Sequence, residues 1–171
     1  RSYAQLFQGL ERPFILYLAL VLHDIGKAEG HGKHAEVSSR LALRVARRLG
    51  LDSATTETLR RVIEHHLLMA SVSQRRDLGD VSVIRAFARR IQTPETLALL
   101  TLHTFADTLA TSDRLWNGFK DSLLWTLHKR AAAMLTGGTE FLRAGEKQRD
   151  QMMGEVRRQM LPEILRAHLL A

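Results

Sequence analysis

Nowhere in this chain of 171 residues do apolar and polar side chains alternate with the period of two that a half-buried strand requires. Apolar residues recur instead three and four positions apart. Two stretches go further: Phe14–Leu22 is apolar on nearly every side, and Leu97–Ala110 on most. Such segments belong in the middle of a helical assembly, sheltered by amphipathic neighbours. Phe14–Leu22 is nine residues long, about half of the ~18 needed to span a bilayer. It therefore predicts a central helix rather than a membrane anchor. The expected fold class is all-α.

The same spacing divides the chain into elements. Pro13 suits the first helical position of a helix over 14–25, and Gly26, Gly30 and Gly32 end it in a short loop. Leu41, Val45 and Leu49 form a stripe opposite Arg40, Arg44, Arg47 and Arg48, and Gly50 supplies the stop. Asp52 or Ser53 caps the next helix, whose apolar face is Leu59, Val62, Ile63 and Leu67. Ile84, Phe87, Ala88 and Ile91 make another stripe. Thr93-Pro94-Glu95 is a strong start signal for the helix over 97–110. Leu115, Trp116, Phe119, Leu123, Leu124 and Leu127 mark a longer helix. Gly137-Gly138 then separates residues 1–136 from an extension over 137–171, with Met152, Met153, Val156 and Met160 on one face and Pro162 restarting a last short helix.

Composition excludes several chemistries. Without cysteine there is no disulfide framework, thiolate zinc site or cysteine nucleophile. The net charge of +7 is the excess of 25 basic residues, 20 Arg and 5 Lys dispersed along the chain, over 18 acidic ones. With 6% aromatics and no basic block beside them, a stacking platform for nucleic acid is not expected; solvated helix faces are. No run spans a membrane and no secretory signal opens the chain, so a cytoplasmic setting is the default expectation. The start at Arg1, in mid-pattern, predicts a piece of something longer.

Polar residues that interrupt the central helices carry the chemistry. His23 and Asp24 follow directly on the nine-residue apolar run, and Asp107 sits among Leu102, Phe105, Ala106, Leu109 and Ala110. A carboxylate on an apolar helix costs several kcal/mol unless it is paired or holds a cation. Taken singly, Asp107 reads as a salt-bridge partner and His23-Asp24 as helix-end polarity. The doublet His65-His66, with His34 near the first pair, shifts the balance towards a metal site. His66 continues the stripe of Val62 and Ile63 and should face the core, while His65 lies about 100° round. Imidazoles and carboxylates without thiols suit Mn, Fe or Mg better than a structural zinc.

In this order, LHDIGK (Leu22–Lys27), His34, EHHLLM (Glu64–Met69) and FAD (Phe105–Asp107) resemble the HD superfamily of metal-dependent phosphohydrolases. HHLLM followed by SQRRDL (Ser73–Leu78), and ATSDRLWNGFKDSLL (Ala110–Leu124), are similar to the HD domain of bacterial bifunctional uridylyltransferase/uridylyl-removing enzymes, which modify the nitrogen-signalling protein PII. TEFLRAGEKQRDQMMGEVR (Thr139–Arg157) is similar to the stretch that leads into that family's ACT domains.

The resemblance implies an HD helical bundle over 1–136, with one superfamily ligand His falling before Arg1, and an extension over 137–171 leading towards ACT domains. It implies a divalent metal, Mn or Mg ahead of Fe, held by His23, Asp24 and Asp107. His34, His65 and His66 would bind a second metal or act as acid/base and phosphate donors, and Lys27 would meet phosphoryl oxygens. The implied reaction is phosphodiester hydrolysis, releasing UMP from a tyrosine of PII, with glutamine sensed through the ACT domains. Arg75 and Arg76 are candidates for anionic substrate, beside the plainer reading as solvated surface. Two alternatives stay open: an HD hydrolase of free or cyclic nucleotides, and a catalytically silent helical signalling module.

Overall fold

The computed structural model describes residues 2–29, 34–111, 116–137 and 152–155, and all regular structure among them is helical. The elements are α1 (Ser2–Gln8), α2 (Phe14–Leu22), a 3-10 turn (Ile25–Glu29), α3 (His34–Arg48), α4 (Ser53–Glu64), α5 (His66–Arg75), α6 (Val81–Ile91), α7 (Pro94–Thr111) and α8 (Gly118–Leu135). The all-α class stands. No helix among the described residues is long and apolar enough to cross a membrane.

Helix α7 is the axis of the bundle. Leu97, Leu99, Leu100, Thr101, Leu102, His103 and Thr104 are buried in succession, as its all-round apolar sequence predicts. Around it lie α2 and α4 on one side and α5 and α8 on the other, with α6 resting on α8. Phe87 and Ile91 of α6, Leu124 and Leu127 of α8 and Ile63 of α4 are among the enclosed side chains. Each contributes roughly 1.5–3 kcal/mol by leaving water. Start signals behave as their chemistry predicts. Asp52 accepts from the Thr55 amide at 2.9 Å, Thr93 Oγ1 from the Thr96 amide at 3.1 Å, and Gly50 ends α3 with φ of 67°. Glu95 does more than favour a helix start: Arg12 donates to both its oxygens and to Thr55 Oγ1, tying the entry to α2 onto α4 and α7.

Four expectations need correction. Helix α2 ends at Leu22 rather than 25, and it buries one side only: Ile15, Leu16, Ala19 and Leu22 are inside, while Tyr17 and Val21 are exposed. In α3 the buried face is Ser38, Ser39, Ala42 and Ala46, with Leu49 exposed, because α3 lies close against α4 and the 3-10 turn, where small side chains fit. Leu67 is exposed because the stripe it was assigned to stops at His65, where one helix becomes two. Phe119 is exposed on α8, with only Leu124, Leu127 and Ala131 fully inside. In the C-terminal stretch, 152–155 is helical with Met152 and Met153 exposed. Gly30, Gly32, Leu115, Gly138, Val156, Met160 and Pro162 lie outside the described residues.

Candidate metal centre

Three helix ends and one helix body converge on a single point. His23 and Asp24 occupy the turn where α2 stops, His34 opens α3, His66 opens α5, and His103 and Asp107 stand on α7. The imidazoles form a chain: ring centres lie 5.4 Å apart for His34–His66, 5.0 Å for His66–His23 and 4.7 Å for His23–His103. Asp24 sits among them, its oxygens 3.2 Å from His23 Nε2, 3.5 Å from His34 Nε2 and 3.9 Å from His66 Nε2. Asp107 Oδ1 approaches His23 Nε2 at 3.3 Å.

Local backbone structure explains why the rings point inwards. A helix that stops leaves its last carbonyls without intrahelical partners. At the end of α2, the Leu20 carbonyl meets His23 Nδ1 at 2.9 Å, and at the end of α4 the Ile63 carbonyl meets His66 Nδ1 at 2.7 Å. A carbonyl only accepts, so each Nδ1 carries the hydrogen, and in the neutral ring Nε2 is left with a bare lone pair. His65, with φ −106° and ψ 11°, makes the break between α4 and α5 beside the Ile63 carbonyl. On the other side, Gly26 is pressed under the start of α3, its amide donating to Ser38 Oγ at 2.9 Å. A Cβ there would stand 2.4 Å from the His34 carbonyl and 2.7 Å from the Ser38 amide, so only glycine lets His34 come over Asp24.

The resulting electrostatics call for a cation. Nε2 of His23, His34 and His66 are buried and make no aligned hydrogen bond. The carboxylates are within ion-pair distance of these nitrogens without hydrogen-bond alignment. Lone pairs therefore face carboxylate oxygens, an arrangement that a positive charge between them resolves. Ligand atoms of His23, Asp24 and His66 lie within 4.8 Å of one another, the spread that one ion can bridge. Burial alone would raise the Asp24 pKa, but the Lys27 ammonium at 2.5 Å and the nearby imidazoles hold it below the usual carboxylate value. Burial pushes His66 down and keeps it neutral, as a ligand must be. The nitrogen–oxygen donor set fits a divalent metal such as Mn, Fe or Mg.

The structure brings together His23, Asp24, His34, His66 and Asp107, with Lys27 at the rim on Asp24. It does not bring in His65. That residue lines a neighbouring groove of about 290 Å³ with His34, Glu64, Leu67 and Arg90. Burial, with Arg90 nearby, lowers its pKa, against the opposing charge of Glu64. Arg75 and Arg76 are exposed and line grooves along α5. Asp107 is a third exposed at the mouth rather than sealed in apolar surroundings. Sequence reasoning missed His103, which is fully buried against His23 and has its pKa pushed down to about 3, mainly by burial. Its spacing of four residues from Asp107, one helical turn on the same face, was the available signal.

The sequence profile described as the HD domain matches residues 3–111, and the chain belongs to that family. Three relatives, each named as a bifunctional uridylyltransferase/uridylyl-removing enzyme, stand close to it. The protein of Bordetella parapertussis is 44% identical over 134 residues, which is 78% of this chain and 15% of that protein. For Gluconobacter oxydans the figures are 45% over 123 residues, 72% and 13%; for Streptomyces coelicolor, 41% over 128 residues, 75% and 15%. The chain thus spans about 15% of the length of the curated relatives it matches. No solved structure matches it.

Proposed function

We propose that this domain hydrolyses a phosphodiester with the help of a divalent metal, and that its substrate is a uridylylated regulatory protein of the PII type, from which it releases UMP. One observation carries the reading: the Nε2 atoms of His23, His34 and His66 are buried, without aligned partners, and face Asp24. The names of the relatives supply the uridylyl-removing specificity.

His23, Asp24, His66 and Asp107 would hold the metal, with His34 on the far side of Asp24. A divalent ion in such a site supplies Lewis-acid polarisation of the phosphoryl oxygen and activation of water. The chain's own residues do the rest. The Leu20 and Ile63 carbonyls fix the tautomers of His23 and His66 and orient their rings. The Lys27 ammonium, exposed at the rim and held on Asp24, lies where it can meet a non-bridging phosphoryl oxygen. The groove behind His34, lined by His65 and Arg90, offers the nucleotide a place beside the reacting phosphorus. Water adds to phosphorus and gives up a proton, the P–O bond to the tyrosine oxygen breaks, and the departing phenolate takes up a proton as UMP is released.

The test is hydrolysis by the purified chain, with Mn²⁺ and after chelation, of a uridylylated PII protein, of free UMP esters and of cyclic dinucleotides. Metal-dependent UMP release from the protein substrate, well above turnover of the small molecules, is expected. Preference for a free or cyclic nucleotide would overturn the substrate assignment. Turnover of none of them would point to a silent module.

A further inference from the structure

Buried polar side chains of α7 are otherwise well provided for. Thr96 shares a hydrogen bond with Thr93, Thr101 donates to the Leu97 carbonyl at 2.7 Å, and Thr104 to the Leu100 carbonyl at 2.8 Å. His103, in the same run and 0% exposed, bonds through neither ring nitrogen. Leaving a buried donor or acceptor unmet costs about 1–3 kcal/mol each, and a leucine would fill the space between α2 and α7 without that cost. An imidazole kept there needs a polar reason.

Its position supplies one. His103 precedes Asp107 by one helical turn, so both project from the same face of α7, His103 beneath and Asp107 at the mouth. The ring stands nearly perpendicular to His23, at 85°, with centres 4.7 Å apart, and its centre is 5.9 Å from that of His66. Two imidazoles bound to one ion at about 2.1 Å, roughly at right angles, place their ring centres on the order of 4.5–5.3 Å apart. The pairs His23–His66, at 5.0 Å, and His23–His103 both meet that spacing, while His66–His103, at 5.9 Å, is wider and must draw in on an ion that all three share.

We propose that His103 is a further ligand of the centre, delivering a ring nitrogen from the floor of the pocket to the cation held by His23, Asp24 and His66. The inference rests on the metal-centre reading and extends it. To offer a lone pair, the ring must carry its hydrogen on the other nitrogen. The Ala19 carbonyl beside it favours a hydrogen there, although the two are not aligned as a hydrogen bond. At His23 and His66 a carbonyl near a helix end takes the ring N–H outright, whereas the Ala19 carbonyl also accepts the His23 amide at 2.8 Å.

Cobalt tests this directly, because its visible bands report the donor set. Co²⁺ uptake and spectra are compared for the natural chain, His103→Leu, His103→Gln and Asp107→Ala, with the thermal midpoint of each metal-free protein as a check on folding. The expected result is a loss of at least about tenfold in Co²⁺ affinity in both His103 variants, with altered band positions and intensities and an unchanged or raised midpoint for His103→Leu. The glutamine variant keeps the test decisive if the leucine variant does not fold. Identical affinity and bands in the natural chain and the His103 variants would overturn the proposal. So would weaker binding with unchanged bands, since His103 would then only position other ligands. A natural chain that takes up no Co²⁺ overturns the metal-centre reading itself. Loss of uptake in Asp107→Ala alone leaves that reading intact and removes only His103 from it.

Discussion

An imidazole nitrogen that faces a carboxylate oxygen across 3.2 Å has to settle where the positive charge between them comes from. His23 and His66 have committed their Nδ1 hydrogens to carbonyls, so the charge is either an extra proton on each ring or one shared ion. Several protonated imidazoles side by side repel one another, and burial opposes protonation of His66 and His103. The two members of the histidine doublet are separated by the same logic. His66→Ala should reduce hydrolysis by more than about 100-fold and His65→Ala by less than about tenfold, as measured by UMP release. The reverse ranking would place the metal behind His65. Buried imidazoles also set a pH dependence. His66, His103 and His128 all have folded pKa values lowered chiefly by burial, so the unfolded chain binds more protons near and below pH 6.5. Stability of the metal-free chain should therefore be fully present above about pH 6.5 and fall on acidification, by up to about 1.4 kcal/mol per pH unit for each group. Urea midpoints at pH 7.5 and 5.5 measure it, and His128→Gln should flatten the slope. Equal midpoints would contradict the account.

Elements place these residues, and here the sequence was only partly legible. The order of motifs identified His23, Asp24, His34, His66 and Asp107, because ionisable groups at the ends of apolar runs are conspicuous. Helix phase was harder to read. In α3 the strongest apolar residues, Leu41, Val45 and Leu49, are not the buried ones, since a close helix approach selects Ala42 and Ala46 by size. The break at His65 carries no Gly or Pro, so periodicity ran through it and assigned Leu67 to the core. His103 escaped notice because a lone histidine in an apolar run has no partner until α2 and α5 are laid against it. Gly26 shows how tightly one element sets another. Gly26→Ala would drive a methyl into the His34 carbonyl and the Ser38 amide. Overpacking of this kind costs typically about 1–3 kcal/mol. Denaturant unfolding should show that loss, and metal affinity should fall with it as His34 is lifted away from Asp24. An unchanged affinity would remove His34 from the site.

On the scale of the whole molecule, the centre is where α2, α3, α5 and α7 meet, and it draws on positions from His23 to Asp107. An ion bound only by the folded arrangement therefore acts as a clasp. Mn²⁺ at a hundred times its dissociation constant should add about 2.7 kcal/mol, raising the melting temperature by roughly 5–10 °C for a chain of this size. Chelation should reverse the shift, which calorimetry can follow. The family match over residues 3–111 spans the positions from His23 to Asp107. The most direct test is metal content: the natural chain, Asp24→Ala and Asp107→Ala, loaded with Mn²⁺, dialysed, and analysed for bound metal per chain. Asp24 and Asp107 are each about one-third exposed, so neither substitution should greatly disturb the fold. The natural chain should retain at least one ion and either variant little, with all three folded. A natural chain that retains no ion, or variants that retain as much as it does, would contradict the account.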